Sequence, residues 1–242
     1  MTQSTQMLST PTHTLAHGTQ SPLPSINGTP SANGVPAPST NGVHRKSRAP
    51  DWLLMLGKFF RHGSTIASFV PSSRFLSKAL LRGIDWDKAQ CIVELGAGTG
   101  PVTTQMVRRA KPHTKLIVIE QDADFCRRLR EKFHAHSNLE VVEGDACKLD
   151  QILAERGITS CDHVLCGLPT PSIPASARET IMAAAQKVLT SDGVFRQLTN
   201  MPWIFWRFYK NYFENVRFKL VPLNFPPAGV YYCRGYKGPK SA

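Results

Sequence analysis

Large apolar side chains are almost missing from residues 1–50, which are mainly Ser, Thr, Pro, Asn, Gly and Gln. Such a segment buries too little apolar surface to offset its ordering entropy, which predicts a disordered leader. It has no charged start followed by an apolar run, so it does not read as a secretory signal, and it holds too little arginine for a transit peptide. At Asp51 the pattern switches. Trp52-Leu53-Leu54-Met55-Leu56, Phe59-Phe60, Ile66-Ala67 and Phe69-Val70 are interrupted at helical spacing by Lys58, Arg61, His62, Thr65 and Ser68. This predicts an amphipathic helix ended by Pro71. Charges at its centre argue against a membrane span. A basic face opposite an aromatic one suits the membrane interface, and the same pattern suits a helix packed on a domain. Pro71-Ser72-Ser73 then caps a short helix, Arg74 to Leu81, closed by Gly83. Its place just before the first strand predicts that it covers a ligand pocket.

From there, apolar runs of strand length alternate with helical stretches. Ile92-Val93, Lys115 to Glu120, Leu139 to Glu143, the start of Asp162 to Pro171, and Val194 to Thr199 read as five strands. Residues 102–111, 122–135 and Ser176 to Leu189 read as helices, and Asp192-Gly193 as a turn. Residues 202–213 pack seven aromatics into twelve positions and read as a helix. Val216 to Leu223 and Gly229 to Arg234 read as a final antiparallel pair. Seven strands with helices between them predict one doubly wound α/β domain, a mostly parallel sheet with helices on both faces. The domain is expected over 84–242, preceded by the helical segment 51–83.

Composition changes this picture in two places. The net charge is +12, and only Arg45, Lys46 and Arg48 lie in the leader, so the remainder is strongly basic. A basic surface attracts nucleic acid or an anionic membrane face. Six cysteines stand at 91, 126, 147, 161, 166 and 233 without a C-x-x-C pair. Strand alternation places Cys161 and Cys166 on opposite faces, which argues against a zinc site there. Reduced thiols of a cytosolic protein are expected.

The candidate chemistry lies at the strand ends. Val93-Glu94-Leu95-Gly96-Ala97-Gly98-Thr99-Gly100-Pro101 is a glycine loop between a strand and a helix, with Pro101 in the first helical turn. Its G-x-G-x-G spacing differs from the G-x-G-x-x-G that seats a pyrophosphate. Glu94, two residues ahead of Gly96, repels phosphate and suits a ligand with a cationic amine. S-adenosylmethionine has such an amine and no phosphate. Glu120 ends the second strand, where a carboxylate is placed to accept ribose hydroxyls. Asp145, after the third strand, is placed to receive an adenine amino group. Gly167-Leu168-Pro169 leaves the fourth strand beside the same crevice, and its carbonyls are candidates to hold a substrate amine. The cofactor set is therefore Glu94, Gly96, Gly98, Gly100, Glu120 and Asp145, and the catalytic set Gly167, Leu168 and Pro169. Arg127, Arg128, Arg130 and Lys132 read as a solvated helix face.

With these residues in view, the chain resembles a Rossmann-like class I S-adenosylmethionine-dependent methyltransferase. More narrowly it is similar to the bacterial phospholipid N-methyltransferases and ornithine lipid N-methyltransferases. The resemblance runs from about residue 52 to the C-terminus. It rests on Pro71-Ser72-Ser73-Arg74-Phe75-Leu76, the glycine loop through Thr103, Glu120, Gly144-Asp145-Ala146 and Gly167-Leu168-Pro169. It implies methyl transfer to a lipid amine, with ornithine lipid favoured over phosphatidylethanolamine. It also implies attachment to anionic lipid through residues 52–70 at the inner face of the cytoplasmic membrane. The family is similar as well to rRNA adenine dimethylases, which carry Asn-Leu-Pro-aromatic where this chain has Gly167-Leu168-Pro169-Thr170. That departure removes the amide that reads adenine and the ring that stacks on it. No appended RNA-holding domain is expected, so nucleic acid is the weaker partner.

The implied mechanism is direct in-line transfer without a metal or covalent nucleophile, carried by proximity and orientation. Glu94, Asp145, His163 or water are the candidates to take the amine's proton. A satisfied structural role is the other reading of His163, which lies in an apolar strand. Trp203 and Tyr209 are candidates to hold the cationic product.

Overall fold

The computed structural model describes residues 72–201, 204–222 and 228–237. The leader, the 52–70 helix and Trp203 lie outside the described residues. The first described helix, α1 (Ser72–Leu80), is followed by β1 (Cys91–Leu95), α2 (Pro101–Val107), β2 (Lys115–Glu120), α3 (Ala123–Phe133) and β3 (Leu139–Glu143). Then come α4 (Leu149–Ala154), β4 (Cys161–Cys166), α5 (Ala175–Val188), β5 (Leu189–Thr199), α6 (Trp206–Tyr212), β6 (Phe213–Val221) and β7 (Ala228–Tyr236).

The strands form one sheet in the order β3-β2-β1-β4-β5-β7-β6. β1 to β5 run parallel, while β7 is antiparallel to both β5 and β6. The apolar strand residues divide by alternation between two cores. Val93, Leu95, Ile117, Ile119, Val164, Phe195 and Tyr231 pack with α4, α5 and α6. Ile92, Leu116, Val118, Leu165 and Val230 pack with α1, α2 and α3. Burial on both faces explains why β1 and β2 read as continuous apolar runs.

Three departures from the sequence reading have local causes. α2 stops at Val107 because Pro112 disfavours helical backbone just before it. The expected turn at Asp192-Gly193 lies inside β5, as an irregularity that sets Leu189 opposite Cys161 and Val194 opposite His163. The same shift of register breaks alternation along β4. Cys161 and Cys166 therefore share one core instead of lying on opposite faces. The aromatic helix is shorter than expected, because Phe213 is already extended and opens β6.

Candidate active site at the carboxyl edge of the sheet

The parallel strands all end on one edge, and β1, β3 and β4 are each followed by a glycine. Gly96 N–H donates to Ile119 O (2.9 Å), Gly144 N–H to Glu120 O (2.9 Å), and Gly167 N–H to Leu95 O (2.8 Å). These bonds carry the sheet ladder one step past the strands and hold the three loops side by side. Gly96 has φ 74°, and a Cβ there would meet Leu168 Cδ2 at 2.4 Å. A Cβ on Gly167 would meet Gly96 O at 2.8 Å. The glycine loop and the Gly-Leu-Pro loop are thus in van der Waals contact, which only glycine at both positions permits. Gly100, at φ 77°, caps α2, and a Cβ on it would strike Leu129.

The acids gather around this contact. Glu94 is 3% exposed, and its Oε2 accepts a hydrogen bond from Thr103 Oγ1 at 2.6 Å. Burial raises its pKa to about 7; the Thr103 hydroxyl lowers it and the charge on Glu120 raises it further. Glu120 is also buried. Its Oε2 accepts from Gly98 N–H (2.8 Å), and its Oε1 from Gln121 and Asp122 N–H (2.8 and 3.0 Å). With about four lone-pair sites on a carboxylate, Oε2 keeps one open and Oε1 is full. One ribose hydroxyl is accommodated directly, and a second requires the Gln121 turn to release Oε1. Asp145 is half-buried and caps a short 3₁₀ turn, with its Oδ1 accepting from Cys147 N–H at 2.9 Å.

Three carboxylates and three glycines, with Lys132 touching the loop only at the Thr99 carbonyl, suit a cationic ligand with ribose hydroxyls and a close backbone approach. S-adenosylmethionine fits this donor and acceptor set. Lys132 reaches the rim, donating to Thr99 O at 3.4 Å, and Arg130 holds Val141 O at 3.1–3.2 Å. Those two side chains, read from sequence as merely solvated, tie α3 to the neighbouring loop and strand. Among the described residues no group of His, Cys, Asp and Glu is placed to hold a metal. The six cysteines are free, five of them buried, and burial pushes the Cys166 thiol up to about 12.

In the Gly-Leu-Pro loop the carbonyls are not equivalent. Leu168 O accepts from the side-chain amide of Gln197 at 2.8 Å, and Cys166 O from the same nitrogen at 3.3 Å. Pro169 O accepts from Ser172 N–H at 2.9 Å. Arg178 serves Thr170 O and Ile173 O. Among the described residues no donor reaches Gly167 O. Gln197, 2% exposed on β5, was not singled out by sequence. A lone glutamine in an apolar strand carries no motif; its value comes from register, opposite Cys166.

Two expectations are corrected. Tyr209 is not available to a substrate cation: it is buried, within 3.3 Å of Thr170 Oγ1, and ringed by Phe195, Phe208 and Tyr231. His163 is not satisfied, because its buried Nδ1 has no hydrogen-bond partner among the described residues. Burial, with Arg196 nearby, lowers its pKa to about 4. Arg196 itself donates to Leu80 O and Arg82 O (2.8 and 2.7 Å), and Tyr232 to Ala79 O, which fastens the end of α1 to the sheet. Nearer its start, α1 packs beside α2, where Arg74 and Ser77 share a cavity of about 400 Å³ with Pro101, Thr104, Gln105 and Arg108.

Comparison with known proteins decides the family. The ornithine lipid N-methyltransferase of Singulisphaera acidiphila is 49% identical over 187 residues, which is 77% of this chain and 97% of that protein. The chain belongs to the ornithine lipid N-methyltransferase family. It is an S-adenosylmethionine-dependent methyltransferase. The family model for ribosomal RNA adenine dimethylase matches residues 68–166 of it, which span the cofactor half. The small-subunit rRNA methyltransferase A of Mycoplasma capricolum is 35% identical over 34% of this chain and 29% of its own. Among solved structures, phosphoethanolamine N-methyltransferase 1 of Haemonchus contortus aligns with TM-score 0.59 at 14% identity, over 79% of this chain and 50% of that one. The 1,6-didemethyltoxoflavin-N1-methyltransferase of Burkholderia thailandensis gives 0.59 at 14%, over 76% and 87%. At such identities the likeness establishes the fold of this ornithine lipid N-methyltransferase family member and nothing finer.

Proposed function

We propose that this protein transfers methyl groups from S-adenosylmethionine to the primary amine of ornithine lipid, once or successively. The observation that carries this is the alignment with the Singulisphaera acidiphila enzyme over 97% of its length, and the acids and glycines gathered at the strand ends, whose chemistry suits S-adenosylmethionine, support it. S-adenosylmethionine supplies a methyl on a sulfonium that leaves as a neutral thioether. The amine lone pair forms the new C–N bond as the C–S bond breaks, so the amine must be unprotonated. An alkyl ammonium has a pKa of about 10, so its proton passes to solvent water before transfer, and the ammonium formed on methylation loses a proton the same way before a second methyl is added. Gly167 O, free of internal donors, is the loop acceptor for the remaining amine N–H. It presents the nitrogen in line, with the rate coming from orientation.

The rRNA reading has in its favour the match over residues 68–166 and the partial likeness to the Mycoplasma capricolum enzyme. Against it, Gly167 offers no amide to a base, and Thr170 is buried against Tyr209 instead of presenting a ring. Residues 52–70 attach the enzyme peripherally to anionic lipid on the cytoplasmic side; no described helix is long and apolar enough to cross a membrane.

The test is expression in a bacterium that makes ornithine lipid without methylating it. Mass spectrometry of the lipid extract is expected to show ornithine lipid heavier by one or more methyl groups. Unchanged ornithine lipid beside methylated phosphatidylethanolamine would move the headgroup assignment, and no altered lipid would remove the lipid function.

A further inference from the structure

On the far side of the sheet from β1, the same carboxyl edge carries an apolar groove that the cofactor site does not use. Its volume is about 650 Å³, and Ile204, Trp206, Arg207 and Phe218 line it. Ile204 is 62% exposed; Met201, just past the end of β5, and Leu220, two residues beyond Phe218 on β6, are each 42% exposed. Single exposed apolar residues are ordinary, but a cluster around a groove marks a binding surface. The sheet register shows how it forms. Leu220 lies opposite Gly229, and Gly229 opposite Thr199, the last residue of β5. A Cβ on Gly229 would come within 2.3 Å of Phe218 Cζ, so the missing side chain is what lets Phe218 lie down as the groove floor. Among the described residues Arg207 is the single charged one of the lining, and no carboxylate lines it.

We propose that this groove receives an acyl chain of the lipid substrate, with the Arg207 guanidinium at its mouth meeting the carboxylate of the headgroup. This rests on the lipid reading above. Size agrees, since small-molecule pockets span roughly 300–1,000 Å³. Position agrees as well. β6 runs parallel to β4, so groove and Gly-Leu-Pro loop open on one edge. Three strand steps of about 4.8 Å separate β4 from β6, roughly 14 Å in all. That span admits an amine at the loop, a short polar spacer, and a chain entering the groove. Arg207 complements an anion along that path, and Ile204, 62% exposed, offers an apolar surface to the chain where it enters.

The experiment compares two acceptors for the full-length enzyme in mixed micelles: long-chain ornithine lipid and a water-soluble short-chain acyl-ornithine. Ile204→Glu is expected to lower kcat/KM for the long-chain acceptor about tenfold, mainly through KM, and to leave the short-chain acceptor within about twofold. Ile204→Trp, which fills the groove without adding charge, is the second variant and is expected to act the same way. Arg207→Gln is expected to raise KM for both acceptors, because both carry the headgroup carboxylate. Equal losses on both acceptors from the Ile204 variants, or no loss on either, would overturn the proposal. A wild-type enzyme that methylates the short acceptor but gains nothing from long chains would also overturn it. A wild-type enzyme inactive on both acceptors would overturn the lipid reading itself, and this proposal with it.

Discussion

Glu94 is held in the core by the fold, and the proposed cofactor role asks it to be an anion. Its carboxyl keeps a proton in the folded state between pH 4.5 and about 7, where the unfolded chain has released it. Its contribution to stability is therefore complete below pH 4.5 and is lost as pH rises through 7. Glu94→Gln removes this dependence, so the Tm difference, variant minus wild type, is expected to grow from pH 5 to pH 7.5 in thermal scans. Cofactor affinity runs the other way. Wild type is expected to bind S-adenosylmethionine more tightly above pH 7 than below it, and Glu94→Gln to bind weakly at every pH, which calorimetric titration reads directly. His163 has the opposite sign: its folded pKa near 4 against an ordinary 6.5 gives stability that is full above pH 6.5 and lost toward pH 4. At Gly96, alanine forces a side chain into Leu168 at φ 74°, with a strain of about 1–3 kcal/mol. Gly96→Ala is expected to lower Tm and methyl transfer together. Glycines and acids at strand ends were legible in the sequence because spacing alone places them there. The unsatisfied His163 and the engaged Glu120 were not, since both depend on neighbours from other elements.

At the scale of elements, the loop after β4 owes its shape to β5. Gln197 satisfies the Leu168 carbonyl, while no donor among the described residues reaches that of Gly167, the acceptor proposed for the substrate amine. Gln197→Leu is expected to lower kcat about tenfold or more while S-adenosylhomocysteine binding stays within about threefold, separating positioning from collapse of the pocket. Gln197→Glu, of nearly the same size, checks that the donor and not the volume matters. Equal losses in binding and turnover would contradict this role. Strands β2 and β3 were read from sequence to the residue, because a β-branched run bounded by glycine or polar residues admits little else. β5 was not: its irregularity at Thr190 to Gly193 looks like a turn locally and becomes strand only through pairing with β4. The aromatic segment was overextended for the same reason. Phe208 and Tyr212 follow helical spacing, but Phe213 belongs to the pairing of β6 with β7.

For the whole molecule, charge and fold describe different things. The doubly wound sheet follows from the order of strands and helices, and the +12 charge says only that the partner surface is anionic. Lipid and RNA both satisfy the charge, and the loop residues Gly167 and Thr170 separate them. Lys58 and Arg61, in the 52–70 segment, are expected to contribute about 1 kcal/mol each to binding of anionic vesicles. Lys58→Gln with Arg61→Gln should therefore weaken sedimentation with anionic vesicles several-fold at low salt, without changing binding to neutral ones. The most direct test of the central claim uses purified enzyme and methyl-labelled S-adenosylmethionine. Vesicles with ornithine lipid, vesicles with phosphatidylethanolamine and unmethylated small-subunit rRNA are offered in parallel. Label in ornithine lipid, abolished by Glu94→Gln, is the expected result. Label in rRNA with none in either lipid would contradict the account.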